Sequence, residues 1–527
     1  MKNKILVILI FISGGILAQL SPSTYQLGEK KLLKQNSATP MSNNINDIVF
    51  DDAKTIWLGT SRGLSSSTDN GENWTNYYNT PDFDDEGIIA VGFYEGKIWA
   101  TTGHSVEING DELPVGSGIR YSSDYGLTWN KISQPIDDAG DSSITYGINT
   151  LRALPVTTAI NNISYDIAFT KNTVWISSFA AGLRKSTDLG NTWQRVVLPP
   201  DNLNSIKPTD TLNFSLQPVK GKFGPEDYLN HRVFSVIGVD DSTLYVGTAN
   251  GINKSTDNGI SWVKFNHKNQ DSPISGNFVT ALGYDIANHH IWAATWKAED
   301  QEEYWGVSLS TNGGESWSTF LEGEKTHNFG FKYFGNSPNY SGSHVMAPTD
   351  NGIFRSTDGG NSWISPLSIK DDVTKVPIAT KKFFSVNSIR RADNSTDIWI
   401  GSGNGLARLN EKFGVWEGEW KVFLASPELK SKTETYAFPN PFSPLQRSVK
   451  IKYSLESSKD VTIRIMDFGM NLVRTLIQNA PRGASSDLIE FWDGKDDNQN
   501  LVPNGVYFYR IDAGSAEPIY GKIMVVK

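Results

Sequence analysis

The stretch WKAEDQEEYW (296–305) gathers the side chains best suited to binding chemistry. Two indoles, Trp296 and Trp305, bracket Glu299, Asp300, Glu302, Glu303 and Tyr304. Flat aromatic faces stack on sugars or cage cations, and paired carboxylates are the machinery of glycoside hydrolysis. The same composition also describes rings packed on neighbouring loops beneath a solvated acidic tip. The seven residues form a candidate ligand site, and no residue is assigned to catalysis.

Other chemistries find little support. The seven histidines include no HExxH pair, and there is no cysteine for a thiolate ligand, a nucleophile or a disulfide. GDSSI (140–144) lacks the strand-to-helix setting of a nucleophile elbow. GNGLARL (403–409) opens like a dinucleotide loop but leads into a strand pattern.

The two tryptophans stand out because a repeat accounts for the others. STDNGENW (67–74) returns as SSDYGLTW, STDLGNTW, STDNGISW, STNGGESW and STDGGNSW. Each copy follows a short apolar run such as IWLGT (56–60) or LYVGT (244–248), then a glycine and an aliphatic residue. The glycines run from Gly63 to Gly405 in seven units, with a period of roughly 57 residues. Another β-rich run precedes each unit and a fourth follows the tryptophan. Four short strands per unit, bounded by Gly, Asn, Asp and Ser, predict one propeller blade. The expected fold is all-β: a seven-bladed β-propeller over residues 40–424, followed by a small Ig-like β-sandwich.

The octapeptide resembles the Asp-box, or BNR, repeat of sialidases, sortilin-type receptors, xyloglucan-degrading enzymes and a photosystem assembly factor. NDIVFDDAKTIWLGTSRGL (46–64) is also similar to sensor propellers of hybrid two-component regulators. The fifth copy departs with Asn312 in place of Asp, the first carries Asn73 where Ser or Thr is usual, and the seventh unit has lost the box. A sialidase would need three arginines around the carboxylate of its sugar. Arg152, Arg232 and Arg390 are candidates that nothing in the sequence links. The xyloglucan-cleaving enzymes set their carboxylates between two propellers, and this chain has the repeats of one.

The box itself reads as structural. Asp69, Asp124, Asp188, Asp257 and Asp358, with Asn312, are placed to accept backbone N–H groups two or three residues on. The tryptophans Trp74, Trp129, Trp193, Trp262, Trp317 and Trp363 are expected to bury about 150–250 Å² each between blades. That is roughly 4–6 kcal/mol as an upper bound, against about 1 kcal/mol for a turn hydrogen bond. The boxes join third to fourth strands and so mark one face. The long segments 79–87, 103–117, 134–162, 199–232, 296–305 and 368–384 are then expected on the opposite face, where function is sought.

The ends of the chain give an address. Lys2 and Lys4, an apolar run from Ile5 and Ala18 before Gln19 read as a signal peptide over residues 1–18. An N-terminal extension (19–39) leads into the propeller, and no later segment reaches the length of about 20 apolar residues that spans a bilayer. A polar linker (425–434) precedes residues 435–527. There YAFPNPFSP and WDGKDDNQNLVPNGVYFYR resemble the Ig-like domain of flagellar hook-capping proteins, a fold that also serves as a type IX secretion sorting domain. The resemblance implies export from a Bacteroidetes-like bacterium, with release or surface attachment, and the secretion machinery as a partner.

The net charge of −9 lies almost wholly outside residues 435–527 and disfavours nucleic acid. No cofactor is expected. Calcium stays open, through Asp493, Asp496, Asp497 and Asn498. The reading reached is a non-catalytic secreted or surface propeller that binds an extracellular glycan or protein. A polysaccharide-active glycoside hydrolase and a periplasmic sensor-like propeller are its alternatives.

Overall fold

A computed structural model describes residues 36–37, 39–298, 302–425, 429, 434–445 and 448–527. The signal peptide, most of the N-terminal extension, and Glu299 and Asp300 lie outside them.

The alternating apolar runs fold into seven antiparallel sheets over residues 45–77, 87–132, 166–195, 233–265, 278–320, 330–356 and 383–423, numbered here as blades 1–7. Within each blade the strands pair in chain order from the axis outward. The ring closes between its ends: Ser385 Oγ donates to Ile45 O at 3.2 Å, and Asn387 Nδ2 to Ile48 O at 3.0 Å. A two-residue strand, Asn36–Ser37, adds to the outer edge of blade 1. Residues 436–525 form two further sheets around a separate core that includes Trp492, Tyr509 and Ile463, a small β-sandwich. It abuts blade 7, where Ile489, Phe438 and Phe491 meet Val376, Val422 and Leu424.

The octapeptides make six similar turns. In blade 1 Ser67 Oγ donates to Asp69 Oδ1 at 2.8 Å and accepts from Gly71 N at 2.8 Å. Asp69 takes the backbone N–H of Asn73, four residues on, at 2.9 Å. The aspartate thus reaches further than the two or three residues expected, because the serine takes the nearer amide. At Asn312 the polarity partly reverses, and its Nδ2 donates to Ser316 Oγ at 2.8 Å. The glycine admits the neighbouring ring: at Gly259 (φ +77°) a Cβ would sit 2.5 Å from Trp175.

Each octapeptide tryptophan packs on the second-strand aromatic of the preceding blade. Trp74 meets Trp399 at 6.1 Å, Trp129 meets Trp57 at 6.1 Å and Trp363 meets Trp292 at 6.1 Å, all edge-to-face. Trp262 shares a core with Trp175, and Trp317 with Tyr245. Only Trp74, Trp262 and Trp317 are fully buried; Trp129, Trp193 and Trp363 keep an exposed edge.

The long segments depart from expectation. They do not all project from the face opposite the octapeptide turns. Strand Ser143–Tyr146 pairs with Asn149–Ala153, which pairs in parallel with Ser215–Leu216. This small sheet descends the outer flank, so that Tyr146 Oη reaches Ile260 O in the octapeptide turn of blade 4 at 2.7 Å. Ser205–Ile206 adds to the outer strand of the same blade. The physical cause is blade 3, whose outer strand has only two residues and leaves apolar side chains to cover. Phe83 likewise fills the wedge between blades 1 and 2 against Trp129, and Asp371 caps Val422 N on blade 7. Two segments do rise from the expected face. One is the hairpin 104–115 of blade 2, whose strands continue past the end of the inner strand at Gly87. The other is the blade 5 loop after Trp296.

Candidate functional site

The blade 5 loop divides its candidate residues by burial. Trp296 ends the strand His290–Trp296, opposite Phe278, and is 7% exposed. Its Nε1 donates to Thr326 O at 3.2 Å. Glu303 is buried and fully engaged: it accepts Asn277 Nδ2 at 2.6 Å, Asn277 N at 3.2 Å and Ala298 N at 2.7 Å. Tyr304 spends its hydroxyl on Thr319 at 2.7 Å. These three hold the loop rather than present it. Glu302 and Trp305 face solvent. Of the sixteen tryptophans, Trp305 is the most exposed, at 36%.

Lys325 joins the two indoles, and no sequence motif announces it. Its Nζ lies 5.6 Å from the Trp296 ring and 4.9 Å from the Trp305 ring. The segment entering blade 6 delivers it, through a contact of Gly323 N with Trp305 O at 2.8 Å. No periodicity marks such a residue; only the folded chain places residue 325 over residues 296 and 305.

Trp296 also belongs to an aromatic arc around the axis. Rings run from Tyr165 through Phe234, Phe278, Trp296 and His327 to Phe384 with centroid steps of 4.3–6.3 Å. The members come from five successive blades and sit at the start of inner strands or the end of second strands. A recurring bulge helps to place them. Inner strands shift register at Asn46, Ile89, Phe234, Thr280 and Phe384, and a bulge re-aims the extra side chain.

Behind the arc lies an axial cavity of about 520 Å³, lined by inner strands. Two carboxylates at its wall, Asp47 and Asp166, bridge to the next blade: Asp47 accepts Val91 N at 2.8 Å and Asp166 accepts Val236 N at 2.9 Å. Burial pushes Asp47 up to about 6 and Asp166 up to about 7, with the charge of Asp47 adding to the latter. Each faces the cavity on one side and protein on the others. Neither was among the candidates drawn from motifs, although they occupy one position in INDIVF and SYDIAF.

The other predicted residues are placed as follows. Arg232 precedes the inner strand of blade 4, while Arg390 ends that of blade 7, so they lie at opposite ends of the ring wall. Asp496 accepts Asn498 N and Asn500 N at 2.9 Å each, and Asp493 pairs with Arg474 at 3.0 Å. Both are committed to the hairpin turn. Among the described residues no group of three His, Cys, Asp or Glu is arranged to hold a metal ion, and no helix is long and apolar enough to cross a membrane.

Comparison with known proteins returns no matching family model. The xyloglucanase Xgh74A of Acetivibrio thermocellus is 25% identical over 282 residues, which is 52% of this chain and 26% of that enzyme. The chain thus spans about a quarter of the length of the curated relatives it matches. Among solved structures an ancestral GH74 enzyme superposes with a TM-score of 0.51 at 13% identity, covering 92% of this chain and 62% of its own. PorZ, a surface component of the type-IX secretion system of Porphyromonas gingivalis, gives 0.37 at 14% identity over 92% of this chain and 66% of its own. The GH74 superposition is a likeness of fold.

Proposed function

We propose that this protein is a binding propeller of the Asp-box type, exported and held at or released from the cell surface, and that it takes an extracellular glycan or protein on the face opposite the octapeptide turns. The observation that carries this reading is Trp305, the most exposed tryptophan, standing on that face beside a caged ammonium. An exposed indole costs free energy in water and gains it back when a ligand covers it. Residues 435–527, with their sandwich fold, serve as the sorting domain in this reading.

The test is a glycan array probed with the full-length protein and with Trp305→Ala. Trp296 is unsuitable as a control because it is part of the core. Binding that survives Trp305→Ala undiminished refutes the site. The export half is tested separately: a chain ending at residue 434 should accumulate in the periplasm, and normal secretion of it would refute the address.

Likeness to a xyloglucanase favours polysaccharide hydrolysis as a second reading. Such a site needs two carboxylates about 5–10 Å apart across an accessible sugar. Near Trp305 the described Glu303 is buried and satisfied. New reducing ends from xyloglucan incubated with the protein would establish this alternative over the first.

A further inference from the structure

Lys325 adds a charge to the exposed indole, and its neighbours decide what that charge can do. Three of the acidic groups in the flanking segments are already engaged, while Glu302 and Glu322 are exposed. Glu303 is taken by Asn277 and Ala298. Glu324 accepts Thr349 Oγ1 at 2.9 Å and Asn351 Nδ2 at 3.2 Å. Asp350 is shared between His327 Nε2 at 2.8 Å and Lys382 Nζ at 3.2 Å. Among the described residues Lys325 Nζ has ring faces as its contacts and no carboxylate within ion-pair distance. A second cation, Lys382, lies 5.5 Å over Phe384 further along the arc.

A cation held on aromatic faces keeps its charge but satisfies few of its three N–H donors. It therefore retains demand for an anionic acceptor. Directly beside it Trp305 offers a flat surface of the kind a pyranose ring covers. Resting on the binding reading above, we propose that the Trp305–Lys325 platform recognises an anionic polysaccharide, the indole taking the sugar face and the ammonium its carboxylate or sulfate ester. An acidic peptide would meet the ammonium without needing the flat ring, so the exposed indole favours the sugar.

The experiment measures binding of full-length protein to polygalacturonate, methyl-esterified polygalacturonate, dextran sulfate, xyloglucan and polyglutamate. Variants are Trp305→Ala, Lys325→Met and Lys325→Arg. Polygalacturonate should bind, weaken with salt, and lose about tenfold or more in affinity in Lys325→Met. Lys325→Arg should restore most of it, which separates lost charge from a disturbed loop. Methyl esterification should cost about as much as Lys325→Met, since it removes the same pair. Dextran sulfate with the same variant dependence would identify sulfate as the source of the anion, and its indifference to Lys325 would leave carboxylate as the source.

Xyloglucan binding that falls in Trp305→Ala but is unchanged in Lys325→Met would overturn the anionic assignment and leave the glycan site standing. Polyglutamate binding that ignores Trp305→Ala would overturn it in favour of a protein ligand. No binding to any of the sugar polymers would overturn both this proposal and the glycan form of the reading beneath it.

Discussion

Six junctions between blades carry an octapeptide tryptophan on the preceding blade's aromatic; the junction between blades 6 and 7 carries neither part. Met346 stands in blade 6 where the other blades have Trp or Tyr, and blade 7 has no octapeptide. In their place Glu411, 1% exposed, accepts Arg355 Nη1 at 2.7 Å and Trp416 N at 2.7 Å, and pairs with Lys332. Arg355 in turn lies 5.4 Å over Trp416. Burial works against the charge on Glu411, yet Arg355 and Lys332 hold its pKa below the ordinary range. The difference teaches that the staple is a two-part device. When one ring is lost its partner has nothing to pack on, and a buried ion cluster fills the wedge.

The comparison breaks most visibly at its two extremes. Glu411→Gln should cost about 3–5 kcal/mol by leaving Arg355 buried without its counter-charge. Trp74→Ala should cost about 3–5 kcal/mol by emptying the junction that closes the ring. Both are read from urea unfolding followed by fluorescence. The double variant Arg355→Met/Glu411→Leu sharpens the contrast: stability should recover in part, short of the unaltered protein because Trp416 N and Lys332 also lose the carboxylate. A double variant as damaged as Glu411→Gln would mean that the ion cluster is itself irreplaceable.

The repeat makes most of the propeller legible in the amino-acid sequence. Blade number and the direction of the octapeptide turns follow from a period and from glycine positions, whereas blade 6 pairs three strands rather than the four expected. What escapes is whatever depends on how blades meet. The segments 134–162 and 199–232 are long, and length alone points to a functional canopy; they cover a flank because blade 3 is short at its edge. In the loop 296–305 composition gathers the candidates but does not sort buried members from exposed ones. Glu303 and Trp296 are drawn inward by Asn277 and Phe278, partners about twenty residues away in sequence. Lys325, Asp47 and Asp166 act across blade boundaries, where no local pattern reports them.

The carboxylates offer a second contrast, between axis and rim. Around the octapeptide turns the Thr128 hydroxyl and amide and the Ser122 hydroxyl hold Asp124 down to about 2. Asp188 and Asp358 are lowered by equivalent groups. At the axis Asp47 and Asp166 are raised. The signs therefore oppose each other. The rim turns contribute stability above the ordinary carboxylate range and lose it as pH falls toward 2. The axial pair contributes fully below about 4 and loses its contribution as pH rises through 6 and 7. Between pH 8 and pH 5 the axial pair favours the folded chain on acidification, while His231 and His344, both held down to about 4 by burial, oppose it, so the axial share is the difference between the protein and a variant without the two carboxylates, about 1–3 kcal/mol. Thermal midpoints across that window check it. The double variant Asp47→Asn/Asp166→Asn should lose more stability on acidification than the unaltered protein does, and an unchanged slope would remove the axial carboxylates from the explanation.

The smallest expected effect lies within the octapeptides themselves. Asn312 accepts Ser310 Oγ at 2.9 Å and Ser316 N at 3.0 Å with its oxygen, as the aspartates do. Its nitrogen must donate to Ser316 Oγ, whereas in the other turns the hydroxyl or amide at that position donates to a carboxylate oxygen. Asn312→Asp makes all three of these hydrogen bonds charge-assisted, the one with the Ser316 hydroxyl reversing direction, and such bonds are stronger. The turn is solvent-exposed, so the gain should stay at or below about 1 kcal/mol. It should also appear only as pH rises above the carboxylate range, because a protonated carboxyl group at this position has no such advantage. A gain that persists at pH 3 would place the benefit in shape rather than charge. Since Trp317 at the end of this turn is already buried against Tyr245 with an amide at 312, a negligible gain would show that at this junction the ring, and not the charge of the turn, sets the strength.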